Sequence, residues 1–570
     1  MILKHIFIML LTMEISNRRL YWGVVLGIFL ISVFFRFWLL QVVPPSPSLD
    51  EVSIGYNAYS LLHTGRDEYG NVFPLLLRAY DDWRPILYVY LTVPLVAFFG
   101  LNVFSVRLLS VVLSVATVCL CFLLVPLLFK KGITAFGVKI QPSLLGLTSA
   151  LLLSISPWHI YLSRLGHEVN LGLFLTVVSV YLFLRGILYK KVFSFLLSSI
   201  AFGFSFYAYQ SQKVIIPILL LTLVLLYFRE LKKNAKQSIC ALGLFMLIAF
   251  PAVIVSFTPE GMTRFSGTSV LSVDHPLYKD SAEKIVQYKK ENNLFGELYY
   301  NRRFVPVRLI ASQYISHFNP HWLFSGGARE NHKVPFMGLL YLFEAPFLLF
   351  GSLVFLCAKI ERRVKFFLLI WFLSSPLPAS ITTEAPHAMR SFTFLPTLQI
   401  LVSFGIIFPF SFLRNLLVRY VAIATLLIIV IFSLRGLITN YFFVFPRTQA
   451  DSFQSALFDS MDYVKENKKN YDAVIISNEK NLYQSYMFYL FSSGYDPKRY
   501  LVSGGTESGG FVEEHEIENI SFRTIDWNTE KKQGRMMYVG NKEDFPKVNG
   551  REYVYLYPDG KPGVYIVTYD

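Results

Sequence analysis

The sequence predicts an all-α polytopic membrane protein with external loops carrying interfacial helices and a small C-terminal α/β domain. Three observations predict it. Of 570 residues, 54% are hydrophobic, far more than one water-soluble core of this size needs. The apolar residues fall into successive runs separated by short loops, and every strongly basic short loop falls on one side once the runs alternate. After Asn440 the runs stop, and Tyr441–Asp570 has the composition of a soluble domain. The net charge of +15 sits in the loops on one side of the runs rather than in a basic-aromatic module, which argues against a nucleic-acid partner.

About eleven spans are expected, taken here in order. Residues 1–19 are expected in the cytoplasm; the apolar run Met1–Thr12 is too short to cross, and Arg18-Arg19 holds this end inside. No small-residue cleavage site follows the first span, so no cleavable signal is expected. Span one is Leu20–Val43, with Arg36 within it either snorkelling or pairing with a carboxylate. The first external loop, 44–102, ends in Ile86–Phe99, whose length and Pro94 suit an interfacial helix. Span two, Val103–Phe129, meets Lys130-Lys131 inside. Span three is Pro142–Pro157, span four Val169–Leu188, span five Val192–Tyr209, span six Val214–Phe228 and span seven Ser238–Phe257. The long external loop 258–335 follows. Span eight is Phe336–Ala358, span nine Phe366–Ile381, span ten Ser391–Leu413, with Arg414 inside, and span eleven Arg419–Asn440. The transmembrane domain is therefore 20–440 and the external domain 441–570. In the latter, Phe453–Lys465 has helical spacing, Tyr471–Ser477 reads as a buried strand and Asn481–Ser492 as an aromatic-rich helix, while Gly534–Gly540 and Tyr553–Tyr557 alternate like strands. Cys119, Cys121, Cys240 and Cys357 lie in or at the ends of apolar runs, so no structural disulfide is expected.

Polar chemistry gathers on the external side. The first loop opens with Pro44-Pro45-Ser46-Pro47-Ser48-Leu49-Asp50-Glu51, two adjacent carboxylates where a helix leaves the bilayer. Carboxylates there are costly unless they pair, hold a metal or do chemistry. Asp67, Glu68, Asp81, Asp82 and Arg84 follow in the same loop; the second loop has Arg164, His167 and Glu168; a later one has His387 and Arg390. Carboxylates in such a set take a proton from an acceptor hydroxyl or hold a divalent cation. Arginines hold phosphate through their planar fork. Transfer of a sugar from a polyprenyl phosphate needs both functions. No Gly-rich nucleotide loop is present in its strand-loop-helix context, and an external site has no nucleotide sugars to use.

These residues resemble a known family. Asp50-Glu51 with Gly55-Tyr56, Gly65-Arg66-Asp67-Glu68, Pro85-Ile86-Leu87-Tyr88, Phe99-Gly100 followed by Ser105-Val106-Arg107-Leu108, Ser163-Arg164 with Glu168, and Pro386-His387-Ala388-Met389-Arg390 are similar in order, spacing and sidedness to the GT-C membrane glycosyltransferases. Within that superfamily they resemble glycosyltransferase family 39, the dolichyl-phosphate-mannose protein mannosyltransferase and aminoarabinose transferase-like group. The resemblance covers roughly the first 410 residues. It implies a GT-C fold and a polyprenyl-phosphate sugar donor, with a lipid, glycan or protein acceptor. It implies a multi-pass protein of the plasma (inner) membrane, or an equivalent one of the endoplasmic reticulum, with its active site outside. Asp50 matches the family's first-loop acid, as base or acceptor-positioning group, with Glu51 beside it. Arg84 before Pro85 matches the basic residue near the donor phosphate, although relatives often have two prolines there. Glu168 stands where relatives commonly have Asp. Arg164, His387 and Arg390 complete the cations expected on the phosphate, and Asp67, Glu68, Asp82 and Glu168 the acceptor-side or secondary carboxylates. Relatives of the aminoarabinose branch hold a metal near this site; Asp82 with His317, His321 or His332 is the combination available, with no spacing that commits them.

Each residue also has a structural reading. Asp67 and Glu68 suit a turn or a helix cap, and Arg107 suits helix packing. Arg164 and Glu168 are four apart, the spacing of a local ion pair. His387 and Arg390 are three apart and would share one helix face. Two other functions compete with transfer: a flippase for a lipid-linked glycan, which needs charges deep within several spans, and a non-catalytic scaffold presenting the C-terminal domain.

Overall fold

The computed structural model describes residues 18–270, 276–413, 415–507, 509–510 and 514–569; residues 1–17 of the expected cytoplasmic segment 1–19, and Arg414, lie outside them. The described chain is mostly helical and divides into two compact units.

The first unit takes residues 18–33, 115–160 and 171–434. The apolar helices of the described chain overlap the expected spans, but their bounds and lengths differ. Val103–Leu128, Val169–Leu188, Ala235–Ser256, Phe392–Phe412 and Leu416–Thr448 are long and apolar enough to cross a membrane. Pro142–Ile155 and Pro157–Ser163 form a sixth span only as a pair bent by 56° at Pro157. The other five expected spans are shorter. The first offers 17 apolar residues, and Val192–Ser205, Gln212–Leu226, Glu344–Cys357 and Arg362–Ser374 have 14, 15, 14 and 13 residues. At 1.5 Å per residue these apolar stretches reach about 20–26 Å, short of a hydrocarbon core of about 30 Å. By length and composition, the described residues hold five helices able to cross a membrane, or six if the bent pair is one span, against the eleven expected.

Two features of this unit bear on sidedness. The loops expected inside meet: Arg363 pairs with Glu230 at 2.6 Å and Lys131 with Glu361 at 2.8 Å. A small hairpin, Ile133–Ala135 with Val138–Ile140, exchanges backbone bonds with Lys359 through Thr134. Loops expected outside meet elsewhere in the unit: Val270 N–H donates to Ile381 O at 3.2 Å and Thr383 N–H to Thr268 O at 2.8 Å. The helix Glu344–Cys357 packs closely against Thr397–Phe412. This packing is made possible by two glycines: a Cβ on Gly351 would stand 1.9 Å from Leu401 O, and one on Gly405 1.9 Å from Phe347 O. Small residues at such crossings let backbones touch.

The second unit takes residues 34–114, 161–170 and 435–570, so the tail and the first loop are parts of one body. The tail holds a six-stranded mixed sheet in the order His515–Ile517, Ile520–Phe522, Ala473–Ile476, Met536–Gly540, Pro562–Tyr569, Arg551–Leu556. The apolar strand Ala473–Ile476 runs parallel to both its neighbours, as its buried run suggests. The helices Ser455–Asn467 and Ser485–Ser493 lie where the sequence puts them. In the first loop the expected interfacial helix is Leu87–Phe99, ended by Gly100 with φ 78°. The helix Leu49–Thr64 and the hairpin Leu76–Ala79 with Asp82–Pro85 are additions to the expected turn-rich loop. The tail holds that helix closely: a Cβ on Gly55 would meet the Phe491 ring at 2.4 Å, and Ser46 Oγ donates to Phe453 O at 2.5 Å.

Candidate active site

The site is built on the start of the helix Leu49–Thr64. Ser48 caps it: its Oγ accepts Glu51 N–H, and the Glu51 carboxylate accepts Ser48 N–H at 2.8 Å, a reciprocal capping box. Asp50 and Glu51 thus occupy the first turn, where the aligned peptide dipoles favour negative charge. One residue of rotation separates their fates.

Glu51 is buried, 1% exposed. Its Oε1 accepts Arg107 Nε at 2.7 Å and Gly166 N–H at 2.8 Å. Its Oε2 accepts Arg107 Nη2 at 3.2 Å besides Ser48 N–H. Arg107 then donates to Leu40 O at 2.7 Å, Pro44 O at 3.2 Å and Ser46 O at 2.7 Å. All five guanidinium N–H groups are engaged. Glu51 is therefore a structural carboxylate, not the second catalytic one expected, and Arg107 has the packing role that its place in the helix suggested.

Asp50 faces the other way and is 31% exposed. Its Oδ1 meets Arg84 Nη1 at 2.6 Å and its Oδ2 lies 3.6 Å from His167 Nε2. Arg84 comes from the hairpin and is only 13% exposed. Tyr80 fixes that hairpin by donating its hydroxyl to Leu49 O at 2.9 Å, and it takes a left-handed backbone, φ 59°, to do so. Such a conformation costs a non-glycine residue about 1 kcal/mol and tends to mark functional turns. Asp82 Oδ2 stands 3.4 Å from Arg84 Nε, while its Oδ1 accepts Trp83 N–H. Burial alone would push the Arg84 pKa down, but Asp50, Glu168 and Asp82 outweigh it and raise it above its usual value. The guanidinium stays charged. Glu168 is buried, with Oε2 3.4 Å from His167 Nδ1. Asp50, Arg84, Asp82, His167 and Glu168 thus form one cluster: two partly exposed carboxylates, Asp50 and Asp82, a fixed cation between them, and the buried Glu168 behind His167.

Other expected site residues have different duties. Arg164 does not offer its fork to a phosphate. It is fully buried and donates to Phe35 O at 3.0 Å, Arg36 O at 2.9 Å and Val43 O at 2.7 Å, over the Phe442 ring at 4.9 Å. It closes the carbonyl end of the helix Arg18–Phe37. Arg36 does not snorkel; it is buried and donates to Ser114 Oγ. Asp67 shapes a turn by accepting Tyr69 N–H at 3.0 Å and Asn71 N–H at 2.8 Å. Glu68 is buried and accepts Asn57 Nδ2 at 2.9 Å and Thr506 Oγ1 at 2.9 Å, so it tethers the first loop to the tail instead of serving as an acceptor-side carboxylate. Burial pushes its pKa up to about 7 against those hydrogen bonds.

His387 and Arg390 belong to the first unit. They sit on a turn rather than on one helix face: His387 Nδ1 accepts Arg390 N–H at 3.3 Å. Arg390 donates to Thr382 Oγ1 at 2.6 Å and lies 3.5 Å from Glu384. It lines a cavity of about 220 Å³ with Lys213, Gln210, Met262, Pro378 and Ile381, all from segments expected at the external side. The metal combination finds no support. Among the described residues no three His, Cys, Asp or Glu side chains are placed to hold an ion. His317 already uses both ring nitrogens, on Gln313 O at 2.8 Å and His387 N–H at 3.3 Å, and burial lowers its pKa.

His167 and Tyr80 are the participants that the sequence did not single out. His167 was visible only as one polar residue of a short external loop. No spacing pointed to Tyr80.

No protein-family model matches the chain, and no curated protein matches it. Solved structures do. ArnT from Cupriavidus metallidurans bound to undecaprenyl phosphate aligns with a TM-score of 0.50 at 12% identity, over 96% of this chain and 97% of that one. The apo state of the same protein gives 0.49 at 12% identity over the same shares. The Archaeoglobus fulgidus oligosaccharyltransferase tethered with an acceptor peptide gives 0.49 at 13% identity, over 84% of this chain; the chain spans 63% of that protein's length. The chain thus shares its fold with ArnT along nearly its whole length.

Proposed function

We propose that this protein is a membrane glycosyltransferase that moves a sugar from a polyprenyl-phosphate donor to a lipid, glycan or protein acceptor on the extracytoplasmic side of a plasma (inner) membrane. The acceptor hydroxyl attacks the anomeric carbon, the bond from that carbon to the phosphate oxygen breaks, and the phosphate leaves with the electron pair. Asp50 takes the acceptor proton, and Arg84 offsets the charge growing on the phosphate. One observation carries this reading: Asp50 is partly exposed and touches a permanently charged arginine at 2.6 Å, closer than Asp82 at 3.4 Å, while Glu51 and Glu68 are buried in structural bonds. The family motifs read from the sequence, and a fold shared with a protein solved with undecaprenyl phosphate, agree with the donor class.

The test uses purified protein in lipid, a panel of labelled polyprenyl-phosphate sugars and a mixed acceptor extract. Release of polyprenyl phosphate by wild type and not by Asp50→Asn is expected. Full release by Asp50→Asn would sink the role of Asp50. No release by folded wild type from any donor would sink the reaction class and favour the flippase or scaffold.

A further inference from the structure

The two consecutive acids of the first loop meet two consecutive residues of the second. Glu51 accepts Gly166 N–H at 2.8 Å, and Asp50 lies against the next residue, His167, at 3.6 Å. Gly166 is there because nothing larger fits: a Cβ would stand 2.6 Å from Val106 Cγ1 and 3.2 Å from Glu51 Oε1. The His167 backbone is further pinned by its N–H to Leu165 O at 2.9 Å and by Ser110 Oγ, which donates to its carbonyl at 3.3 Å. These bonds fix the backbone that carries the ring beside Asp50. Val169 N–H donates to His167 Nδ1 at 3.2 Å; in the neutral ring that acceptor role leaves the proton on Nε2, the nitrogen that faces Asp50 Oδ2. Glu168 flanks the same ring at 3.4 Å from Nδ1.

We propose that His167 is a positioning residue of the transfer reaction, which fixes Asp50 Oδ2 while Arg84 occupies Oδ1. This rests on the glycosyltransferase reading. The ring stands a few tenths of an ångström beyond hydrogen-bond length, a separation that substrate-bound sites commonly close. With Nε2–H directed at one oxygen, Asp50 keeps its orientation when the donor phosphate draws on Arg84. His167 touches neither sugar nor phosphate in this account; it acts through Asp50.

The test compares His167→Leu and His167→Gln with wild type in the release assay. The glutamine amide offers an N–H near the place of Nε2. Loss of oriented contact costs about tenfold or more in rate. The expected result is a kcat lowered at least about tenfold in His167→Leu, a KM for donor within about twofold of wild type, and substantial recovery in His167→Gln. In Asp50→Asn the added His167→Leu should cost nothing further. Wild-type kcat in His167→Leu would overturn the proposal. So would additive losses with Asp50→Asn, an equal fall in both variants, or failure of both to give folded protein, since each assigns His167 to the scaffold. Inactive wild type would instead overturn the underlying reaction reading, so the two failures are distinguishable.

Discussion

Glu51→Gln removes a charge and no volume, and the structure fixes what it should cost. Each carboxylate oxygen accepts two donors: Oε1 from Arg107 Nε and Gly166 N–H, Oε2 from Arg107 Nη2 and Ser48 N–H. A glutamine amide must place its NH2 at one of these positions. Whichever way it turns, one N–H of Arg107 and one backbone N–H face another donor. Two buried donors left unsatisfied cost about 1–3 kcal/mol each. Arg107 meanwhile keeps its charge without a partner, and breaking one side of a buried pair costs about 3–5 kcal/mol in total. That is a large share of the roughly 5–15 kcal/mol that holds a typical fold. The assay is thermal unfolding in lipid or detergent, read beside the release assay, with Asp50→Asn as the companion. Glu51→Gln should unfold many degrees below wild type, and Asp50→Asn close to it. A Glu51→Gln protein as stable as wild type but devoid of turnover would refute the reasoning and return Glu51 to the chemistry.

The other predictions concern turnover, pH and packing. Asp50→Asn should lower kcat by about 10²–10⁴, the range of a lost general base, with folding retained in the unfolding assay. Glu68 has its pKa raised from 4.5 to about 7 in the fold. A carboxyl whose folded pKa is raised favours folding below its unfolded pKa and loses that benefit as pH rises from about 4.5 through 7. The difference is about 3 kcal/mol. Thermal stability should fall from pH 5 to pH 8 in wild type, and less steeply in Glu68→Gln; equal slopes would remove Glu68 as the cause. Gly405→Ala would put a methyl 1.9 Å from Phe347 O, so the helices must part at a cost of about 1–3 kcal/mol or more. An unchanged unfolding midpoint would show that the pair yields freely.

Much of the helical plan was legible because apolar runs and basic loops are long-range averages that tolerate local error. Lengths were not: Pro157 bends one expected span, and Glu344 opens another eight residues after its apolar run begins. Side-chain duties were harder. Ser48-x-x-Glu51 announces a capping box, yet the two acids were read together as a site, because sequence alone does not say which one Arg107, 56 residues on, takes. Arg164 looked like a phosphate ligand for a similar reason. Its partners are three backbone carbonyls, and carbonyls leave no mark in a sequence. The tether from Glu68 to Thr506 spans 438 positions and carries no periodic signal.

The adjacency of Asp50 and Glu51 is itself the device that separates structure from chemistry. Successive residues of a helix point about 100° apart, so one acid of the pair turns inward while the other stays accessible. The inward acid fastens the helix start to Arg107 and, through Gly166 N–H, to the second loop. That bond sets where the next residue, His167, lies, and His167 faces the outward acid. Arg84 reaches the same acid from a hairpin anchored by Tyr80 to Leu49 O, one residue before it. His167, through Gly166, and Arg84, through Tyr80, are thus both held by bonds to the same helical turn. A substitution that loosened this turn would degrade position before it removed any reacting group. In Glu51→Gln material that still folds, turnover should therefore fall while the donor is still bound.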